Sequence, residues 1–435
     1  MADRSPRSAG GPTLADPVPA PLVEAAPAGT AAPAALPFAQ RRLRVAIDAR
    51  KLRDPESGVG SYIVNLVQAL LRQEGAPGIL LIRAGRQGKA PVDGVEEIFV
   101  RYPAEIALTP RRLAPALRGR PYDVFHSPFD IGPRGLGVPV VVTIHDINWI
   151  VNPAYNSYNL FMRKAGGFFY RTRLTDAMRE ASRIIAISQA TRNAIVEYAP
   201  WHEHKIRVVR NGVDRRRIFP LPKDDADRLV GSILPPEHPF VLTVGQAAPY
   251  KNHVSAVEAF LRAFADRPEY RMVLVRRPAA ADPRLERLLA GPVARERVRR
   301  LSSVSPAVLN ALYNRARMVL HPSYYEGFGL PLVEAMAAGT PLVASSVSSM
   351  PEIVGPAGLL VSPADVGALA RALVALDSDE LLRARLVAAA RERLALFDWD
   401  AAAKATLDLY AEAFHAGAAR RGPDPVSELR PSRGR

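Results

Sequence analysis

Short apolar runs rich in β-branched residues alternate along this chain with longer segments whose apolar residues recur at helical spacing. Such alternation predicts an α/β protein in which parallel sheets are covered by helices. The predicted strands fall into two series. The first comprises residues 44–48, 79–82, 97–100, 123–126, 140–145, 183–187 and 207–209. The second comprises residues 240–245, 272–276, 298–301, 318–321 and 341–344, with 358–361 as a candidate edge strand.

Two domains are the natural expectation for 435 residues, because a single hydrophobic core rarely grows that large. The polar, proline-containing segment 221–239 follows the first strand series, and we place the domain boundary near residue 215. The predicted parts are a disordered Ala/Pro-rich tail (1–42), two Rossmann-like domains (43–215 and 216–400), a helix (401–418) and a disordered basic tail (419–435).

Composition narrows the location of the protein. The chain contains no cysteine, which excludes disulfides and thiolate metal sites and is compatible with a reducing cytosol. No apolar run approaches the length of a membrane span, and the first forty residues lack the continuous apolar core of a secretory signal. We therefore expect a cytoplasmic protein.

Of the net charge of +15, +10 lies between residues 45 and 417, where two segments concentrate it. Residues 284–300 are rich in arginine without aromatic residues, which is typical of a solvated face. The other segment comprises residues 163–183. There, and at the preceding Phe161, basic and aromatic residues are mixed: Phe161, Arg163, Lys164, Phe168, Phe169, Tyr170, Arg171 and Arg173. This mixture suits an anionic membrane surface, so peripheral attachment to the inner face of the plasma membrane stays open. Nucleic acid is discounted, because no nucleic-acid-binding motif accompanies the charge.

The most informative stretch runs Ser323-Tyr-Tyr-Glu-Gly-Phe-Gly-Leu-Pro-Leu-Val-Glu-Ala-Met-Ala-Ala-Gly339. Pro331 suits the first turn of a helix and Gly339 its end, so a short helix is predicted with Glu334 in its first turn. The preceding backbone N–H groups would lie unpaired at the positive end of the helix dipole, where a phosphate binds well. With Glu326 and Glu334 as acceptors for hydroxyl groups, the stretch suits a sugar diphosphate.

Three further motifs follow predicted strands, at the sheet edge where ligands of open α/β sheets bind. The first is the glycine loop Gly58-Val59-Gly60-Ser61, before a helix predicted from Tyr62. The second is Thr143-Ile144-His145-Asp146, and the third runs from Gly245 to Lys251 and Asn252. Each has a purely structural alternative: a tight turn, a satisfied histidine at a strand end, and a surface lysine at a helix start. Asp146 could orient the His145 ring or cap the next helix.

From Ser323 to Pro341 the chain closely resembles the signature of retaining glycosyltransferases of family 4, and weaker similarity extends over most of residues 43–400. The resemblance implies the GT-B fold: two Rossmann-like domains face each other across a cleft, and a C-terminal helix crosses back to the first. The first domain would bind the acceptor and the second the nucleotide sugar. The implied catalytic residues are His145, Glu326 and Lys251. The implied donor-binding residues are Gly60, Gly245, Lys251, Arg276, Glu326, Gly327, Phe328, Gly329, Leu330 and Glu334.

The chain departs from the family pattern at Tyr250, where relatives usually have an arginine. Lys251 is then the only cation of its motif. Arg276 and Arg277 stand where relatives usually show a glycine after the strand, and we hypothesise that one of them supplies the missing charge.

The resemblance implies transfer of a hexose, with retention, from a nucleotide diphosphate sugar to a saccharide or a polyprenyl-linked saccharide. It is strongest to bacterial mannosyltransferases of surface polysaccharide synthesis, so GDP-mannose is the expected donor. We expect no cofactor and no metal, because no Asp-x-Asp pair occupies a ligand loop and a lysine with a helix dipole can replace the ion. Two alternatives stay open. One is a nucleotide-sugar epimerase or phosphorylase on the same fold, and the other a non-catalytic nucleotide-sugar-binding scaffold.

Overall fold

A computed structural model of the chain describes residues 42–52, 57–85, 92–102, 109–156, 160–277 and 282–421, with the backbone alone at 109–112, 160–165, 277 and 418–421. The predicted N-terminal tail lies outside the described residues apart from Arg42. The predicted C-terminal tail also lies outside them apart from residues 419–421, which continue the last helix.

The first seven strands form one parallel sheet in the order β3-β2-β1-β4-β5-β6-β7. They are β1 (Arg44–Asp48), β2 (Gly78–Ala84), β3 (Glu96–Val100), β4 (Val124–Ser127), β5 (Val140–Ile144), β6 (Arg183–Ala186) and β7 (Ile206–Val208). Every residue of β4 and β5 is buried, as expected for a parallel sheet with helices on both faces.

The second sheet contains six parallel strands in the order β10-β9-β8-β11-β12-β13. They are β8 (Phe240–Gln246), β9 (Arg271–Arg277), β10 (Val298–Leu301), β11 (Met318–His321), β12 (Leu342–Ser345) and β13 (Leu359–Val361). Strands β8 and β11 are neighbours, with Val319 beside Leu242, although 71 residues separate the end of one from the start of the other. The loops that follow these two strands are therefore brought together.

Helices cover both sheets. They are α1 (Gly58–Arg72), α2 (Thr109–Ala116), α3 (Asn148–Val151), α4 (Leu160–Glu180), α5 (Gln189–Tyr198), α6 (Lys223–Val230), α7 (His253–Ala263), α8 (Pro283–Ala290), α9 (Pro292–Arg297), α10 (Pro306–Arg315), α11 (Leu330–Ala338), α12 (Met350–Val354), α13 (Val366–Ser378), α14 (Glu380–Arg393) and α15 (Trp399–Arg421). The predicted start of α1 at Tyr62 is wrong by four residues. Ser57 caps the helix by accepting from the Gly60 amide, so the glycine loop forms its first turn.

The C-terminal helix crosses back to the first domain, as the fold prediction required. Helix α15 packs against α1, β4 and β5. Within that contact the Tyr410 hydroxyl lies 2.7 Å from His126 Nδ1, and both residues are buried. Gly212 lies so close to the start of α15 that an added Cβ would approach the Trp399 amide nitrogen to 2.4 Å. The two sheets and this helix establish the predicted GT-B fold.

Candidate active site

Glu326 lies in the loop between β11 and α11 and is 8% exposed. Its Oε1 accepts from Lys251 Nζ at 2.6 Å and lies 2.8 Å from His321 Nε2. Burial raises the pKa of Glu326, but the Lys251 charge and the His321 hydrogen bond outweigh burial and hold the pKa well below its ordinary value. Glu326 and Lys251 are therefore an ion pair with little access to water.

Lys251 reaches Glu326 because of the turn between β8 and α7. Asn252 adopts left-handed backbone geometry (φ 54°), and its side-chain amide donates to the carbonyls of Pro322 and Pro363 at 3.0 and 2.9 Å. These bonds tie the turn to the loop after β11. A Cβ at Gly245 would lie 3.3 Å from Lys251 Cδ, so glycine there leaves room for the lysine side chain.

Tyr250, which stands in place of the usual arginine, lies with its ring 5.2 Å from Lys251 Nζ. This contact stabilises the ammonium without adding a positive charge. Arg276 is buried and its Nε lies 3.3 Å from His253 Nδ1, while the Arg277 side chain lies outside the described part of the chain. Whether either arginine compensates for Tyr250 stays a hypothesis.

Helix α11 begins without a side-chain cap. Gly329 occupies the N-cap position at φ 95°, a conformation that glycine adopts readily, and Pro331 follows in the first turn. Phe328 is buried with its ring against Phe397, so only its backbone is available to a ligand. The predicted uncapped helix start is thus present.

The predicted position of Glu334 in the first turn is wrong, because α11 begins at Leu330 and has no acidic residue in its first turn. Its Oε2 accepts from the Tyr313 hydroxyl at 2.7 Å, and burial raises its pKa. Glu334 lines a cavity shared by the two domains and α15, with Ser61, Asn65, Gly212, Val213, Asp214, Arg217, Ile218, Pro306, Leu309, Leu330 and Trp399. Gly60 directly precedes Ser61, which places it near this cavity.

His145 follows β5 on the other side of the cleft. Its Nε2 lies 2.9 Å from the Pro128 carbonyl, which can only accept, so the ring carries its proton on Nε2 and leaves Nδ1 as an acceptor. Burial lowers the pKa of His145 to about 4, so the imidazole is neutral at pH 7. Asp146 does not orient this ring. Its Oδ1 accepts from the Asn148 amide at 2.8 Å, at the start of α3.

Backbone contacts join the two domains beside these residues. An added Cβ at Gly327 would lie 1.9 Å from the His145 carbonyl oxygen, so the two backbones touch. Thr191 Oγ1 lies 3.2 Å from both the His145 and the Gly327 carbonyl oxygens. The contact holds His145 close to the loop that carries Glu326.

Glu352 makes a second contact between the domains, which sequence reasoning missed. Its carboxylate accepts from the backbone N–H groups of Gln189 and Ala190 at 3.0 and 2.7 Å, at the N-terminus of α5. No spacing in the sequence indicates this, because Glu352 belongs to α12 of the second domain. A carboxylate at a helix N-terminus is stabilised by the helix dipole.

We expect Glu352→Gln to lower kcat about fivefold while nucleotide affinity stays within about twofold, since the substitution weakens a dipole contact of about 1 kcal/mol at the domain contact and leaves the second domain unchanged. Steady-state kinetics and nucleotide titration check this. Glu380→Gln is the matched control, since Glu380 is an exposed acid in the first turn of α14. Equal losses in both variants would contradict the role of Glu352.

The structure gathers most predicted site residues at one edge of the second sheet: Gly245, Lys251, Glu326, Gly327, Phe328, Gly329 and Leu330. His145 and Gly60 come from the first domain, Glu334 lies at the neighbouring cavity, and Arg276 packs behind them against His253. Their roles in catalysis and donor binding stay predictions. Among the residues that the structure describes, no group of three or more metal-ligating side chains occurs, and no helix is both long and apolar enough to cross a bilayer.

Two facing sheets with this site at their edge define a GT-B transferase, and comparisons with known proteins agree. A family model described as Glycosyltransferase Family 4 matches residues 57–217, and one described as Glycosyl transferases group 1 matches residues 230–393. The O-antigen chain mannosyltransferase B of Escherichia coli is 31% identical over 310 residues, 70% of this chain and 78% of that protein. The MMP alpha-(1->4)-mannosyltransferase of Mycolicibacterium hassiacum is 30% identical over 318 residues, 69% and 74% of the respective chains.

Solved structures share the fold. Sucrose-phosphate synthase from Thermosynechococcus elongatus has a TM-score of 0.67 at 23% identity, over 86% of this chain and 100% of that one. Anabaena HepE in complex with UDP and glucose has a TM-score of 0.66 at 19% identity, over 85% of this chain and 100% of that one. The chain belongs to glycosyltransferase family 4 and is a hexosyltransferase. The predicted family and enzyme class, and the resemblance to bacterial mannosyltransferases, are confirmed.

Proposed function

We propose that the protein transfers a hexose, with retention at the anomeric carbon, from a nucleotide diphosphate sugar to a saccharide or lipid-linked saccharide. The observation that carries this proposal is the buried Lys251–Glu326 pair beside the uncapped start of α11. An ammonium and free N–H groups suit a diphosphate, and an ionised carboxylate that only accepts suits sugar hydroxyls. Lys251 and the Phe328–Leu330 amides would hold the diphosphate and Glu326 the sugar.

The remaining residues fit roles around that donor. Glu334 would bind the ribose hydroxyls from the cavity that it lines, and His145 would approach the sugar from the first domain with Nδ1 as an acceptor. As the glycosidic bond breaks, negative charge grows on the leaving phosphate, where a preorganised cation and helix N-terminus stabilise it. The departing phosphate oxygen would take the proton of the attacking acceptor hydroxyl on the same face, which gives retention.

A double displacement with Glu326 as nucleophile is less well supported. The carboxylate oxygen is already bonded to Lys251 and His321, and its low pKa makes it a weak nucleophile. Retaining glycosidases also need a second carboxyl about 5 Å away as acid and base. Glu334 is occupied by Tyr313 instead. These contacts favour attack on the front face.

Mannose from GDP-mannose is the donor that we propose. Its support is the similarity to the two named mannosyltransferases, together with the motifs around Gly60 and His145. Thermal-shift titration with GDP, UDP and ADP tests the base, and selective stabilisation by GDP is the expected result. Selective stabilisation by UDP would overturn the choice of donor, and stabilisation by none of the three nucleotides would contradict binding of these nucleotide diphosphate sugars.

We also propose catalysis without a metal, which Lys251 and the start of α11 support because they would supply the positive charge that an ion would supply. We expect turnover in a chelator at about 5 mM, above the dissociation constants of about 0.1–1 mM of weak protein sites for such ions, to match turnover without chelator. A loss of activity that added Mg²⁺ or Mn²⁺ restores would contradict this proposal.

A cytoplasmic enzyme that works at an anionic membrane surface would reach a lipid-linked acceptor. Phe168 and Phe169 on α4 support this, since they are 68% and 54% exposed. We expect the protein to float with anionic vesicles, and the variant with both phenylalanines changed to serine to float less, because exposed aromatic rings insert at the interface. Neutral vesicles are the control. Equal flotation of wild type and variant, or none, would reject membrane binding through α4.

A further inference from the structure

A second cavity lies in the C-terminal domain, outside the proposed donor site. Its volume is 210 Å³, and none of Lys251, Glu326 and Glu334 lines it. The lining residues come from the starts of α7 and α8 and from the turns beside them: Pro249, Asn252, Val254, Ser255, Asp282, Pro283, Arg284 and Tyr324.

Helix α7 presents an uncapped N-terminus to this cavity. It has 11 residues, no side-chain cap and no acidic residue in its first turn. Asn252 occupies the N-cap position, but its amide is committed to the Pro322 and Pro363 carbonyls. The N–H groups of residues 253–255 accordingly have no hydrogen-bond partner within the described chain. They carry the positive end of the helix dipole.

Ser255 gives an independent indication of a ligand. It lines the cavity from the first turn of α7, it is only 8% exposed, and its hydroxyl has no hydrogen-bond partner among the residues that the structure describes. The hydroxyl oxygen itself is not closed off from solvent, so it is open to the cavity that Ser255 lines. A ligand oxygen bound in the cavity would be able to accept from this hydroxyl.

The charges around the cavity favour an anion. Arg284 lines it and forms no ion pair with any described residue. The opposing carboxylate is that of Asp282, which is engaged in capping α8 and accepts from the Arg284 and Leu285 amides at 3.0 and 3.3 Å. The negative charge of Asp282 therefore interacts with the positive end of the α8 dipole. A guanidinium, a hydroxyl and the start of α7 remain as donors for a ligand.

We propose that this cavity, here called the α7 site, binds a phosphate group. Several oxygens on one phosphorus can accept from the α7 amides, the Ser255 hydroxyl and the Arg284 guanidinium together. The site adjoins the domain contact, because the Tyr324 ring at its edge stacks on Tyr155 of the first domain at 4.8 Å. Free phosphate and the phosphate of a lipid head group share this chemistry. The proposal does not depend on the identity of the sugar donor.

Isothermal titration calorimetry of the full chain with inorganic phosphate tests the α7 site. We expect the variant Ser255→Ala/Arg284→Gln to bind phosphate at least tenfold more weakly than wild type. Arg287→Gln is the matched control, because Arg287 is an exposed arginine on the same helix that does not line the cavity, and binding should stay within twofold. Alanine favours helix and Arg284 is exposed, so the fold should tolerate both changes.

Lys251→Ala separates this site from the donor site, and should leave phosphate binding at the α7 site within twofold. Phosphate binding that is lost in Lys251→Ala but kept in the double variant would overturn the proposal, as would equal weakening by Arg287→Gln. Vesicles of phosphatidylcholine with phosphatidic acid distinguish the source. Flotation that falls in the double variant supports a lipid head group, whereas unchanged flotation with weakened phosphate binding supports free phosphate.

Discussion

Lys251→Ala should lower kcat at least a hundredfold. Lys251 Nζ is the charged group closest to Glu326, at 2.6 Å, and the neighbouring Tyr250 ring carries no charge of its own. Removal of one preorganised stabiliser of a developing negative charge raises the barrier by about 3 kcal/mol, which corresponds to roughly a hundredfold in rate. Initial rates at saturating donor measure the effect.

Two further variants show whether the loss is specific to the positive charge at position 251. Lys223→Ala is the matched control, since Lys223 is an exposed lysine paired with Asp227 on α6, and it should keep wild-type kcat. Lys251→Arg keeps the charge and should recover part of the loss. Normal turnover in Lys251→Ala would refute the role of Lys251. Misfolding of either position-251 variant would be recognised by loss of the cooperative thermal transition.

Gly327→Ala should reduce kcat by about a hundredfold without unfolding either domain. Its Cβ would meet the His145 carbonyl oxygen at 1.9 Å, so the two domains could no longer approach as they do here. Displacement of reacting groups by about 1 Å is enough for a loss of this size. Kinetics together with small-angle scattering, which should show a more open molecule, measure both parts of the prediction.

Gly167→Ala is the control for Gly327→Ala. An added Cβ at Gly167 on α4 would meet its nearest atom, the Trp149 carbonyl oxygen, at an ordinary 3.7 Å. This variant should keep kcat and scattering profile. An active Gly327→Ala enzyme with an unchanged profile would show that the contact with His145 is not required for turnover.

The strands were predictable because parallel strands buried on both faces appear as continuous apolar runs, and all observed strand ends lie within two residues of the predicted ones. Helix starts were less certain. Because Ser57 is the N-cap of α1, this helix begins earlier than its apolar periodicity indicates. Because Gly329 is the N-cap of α11, that helix begins at Leu330 and Glu334 lies beyond its first turn. In both cases local backbone geometry, and not hydrophobic spacing, determines the first residue.

Contacts of the site were the part that sequence alone could not supply. The Lys251–Glu326 pair depends on β8 and β11 being neighbours, although 75 residues separate the two side chains. The contact of Glu352 with α5 depends on how the two domains meet. The hydrogen bond that Asp146 accepts from the Asn148 amide depends on the local turn before α3. The resemblance to family 4 identified residues around the cleft, whereas three-dimensional packing decides which of them touch.

Retention at the anomeric carbon is the central chemical claim, and it can be measured without knowing the acceptor. The enzyme is incubated with GDP-mannose in water, and the mannose released by slow donor hydrolysis is observed by proton NMR before mutarotation. The account predicts that GDP is released together with mannose of the same anomeric configuration as the donor. Release of the opposite anomer would contradict it.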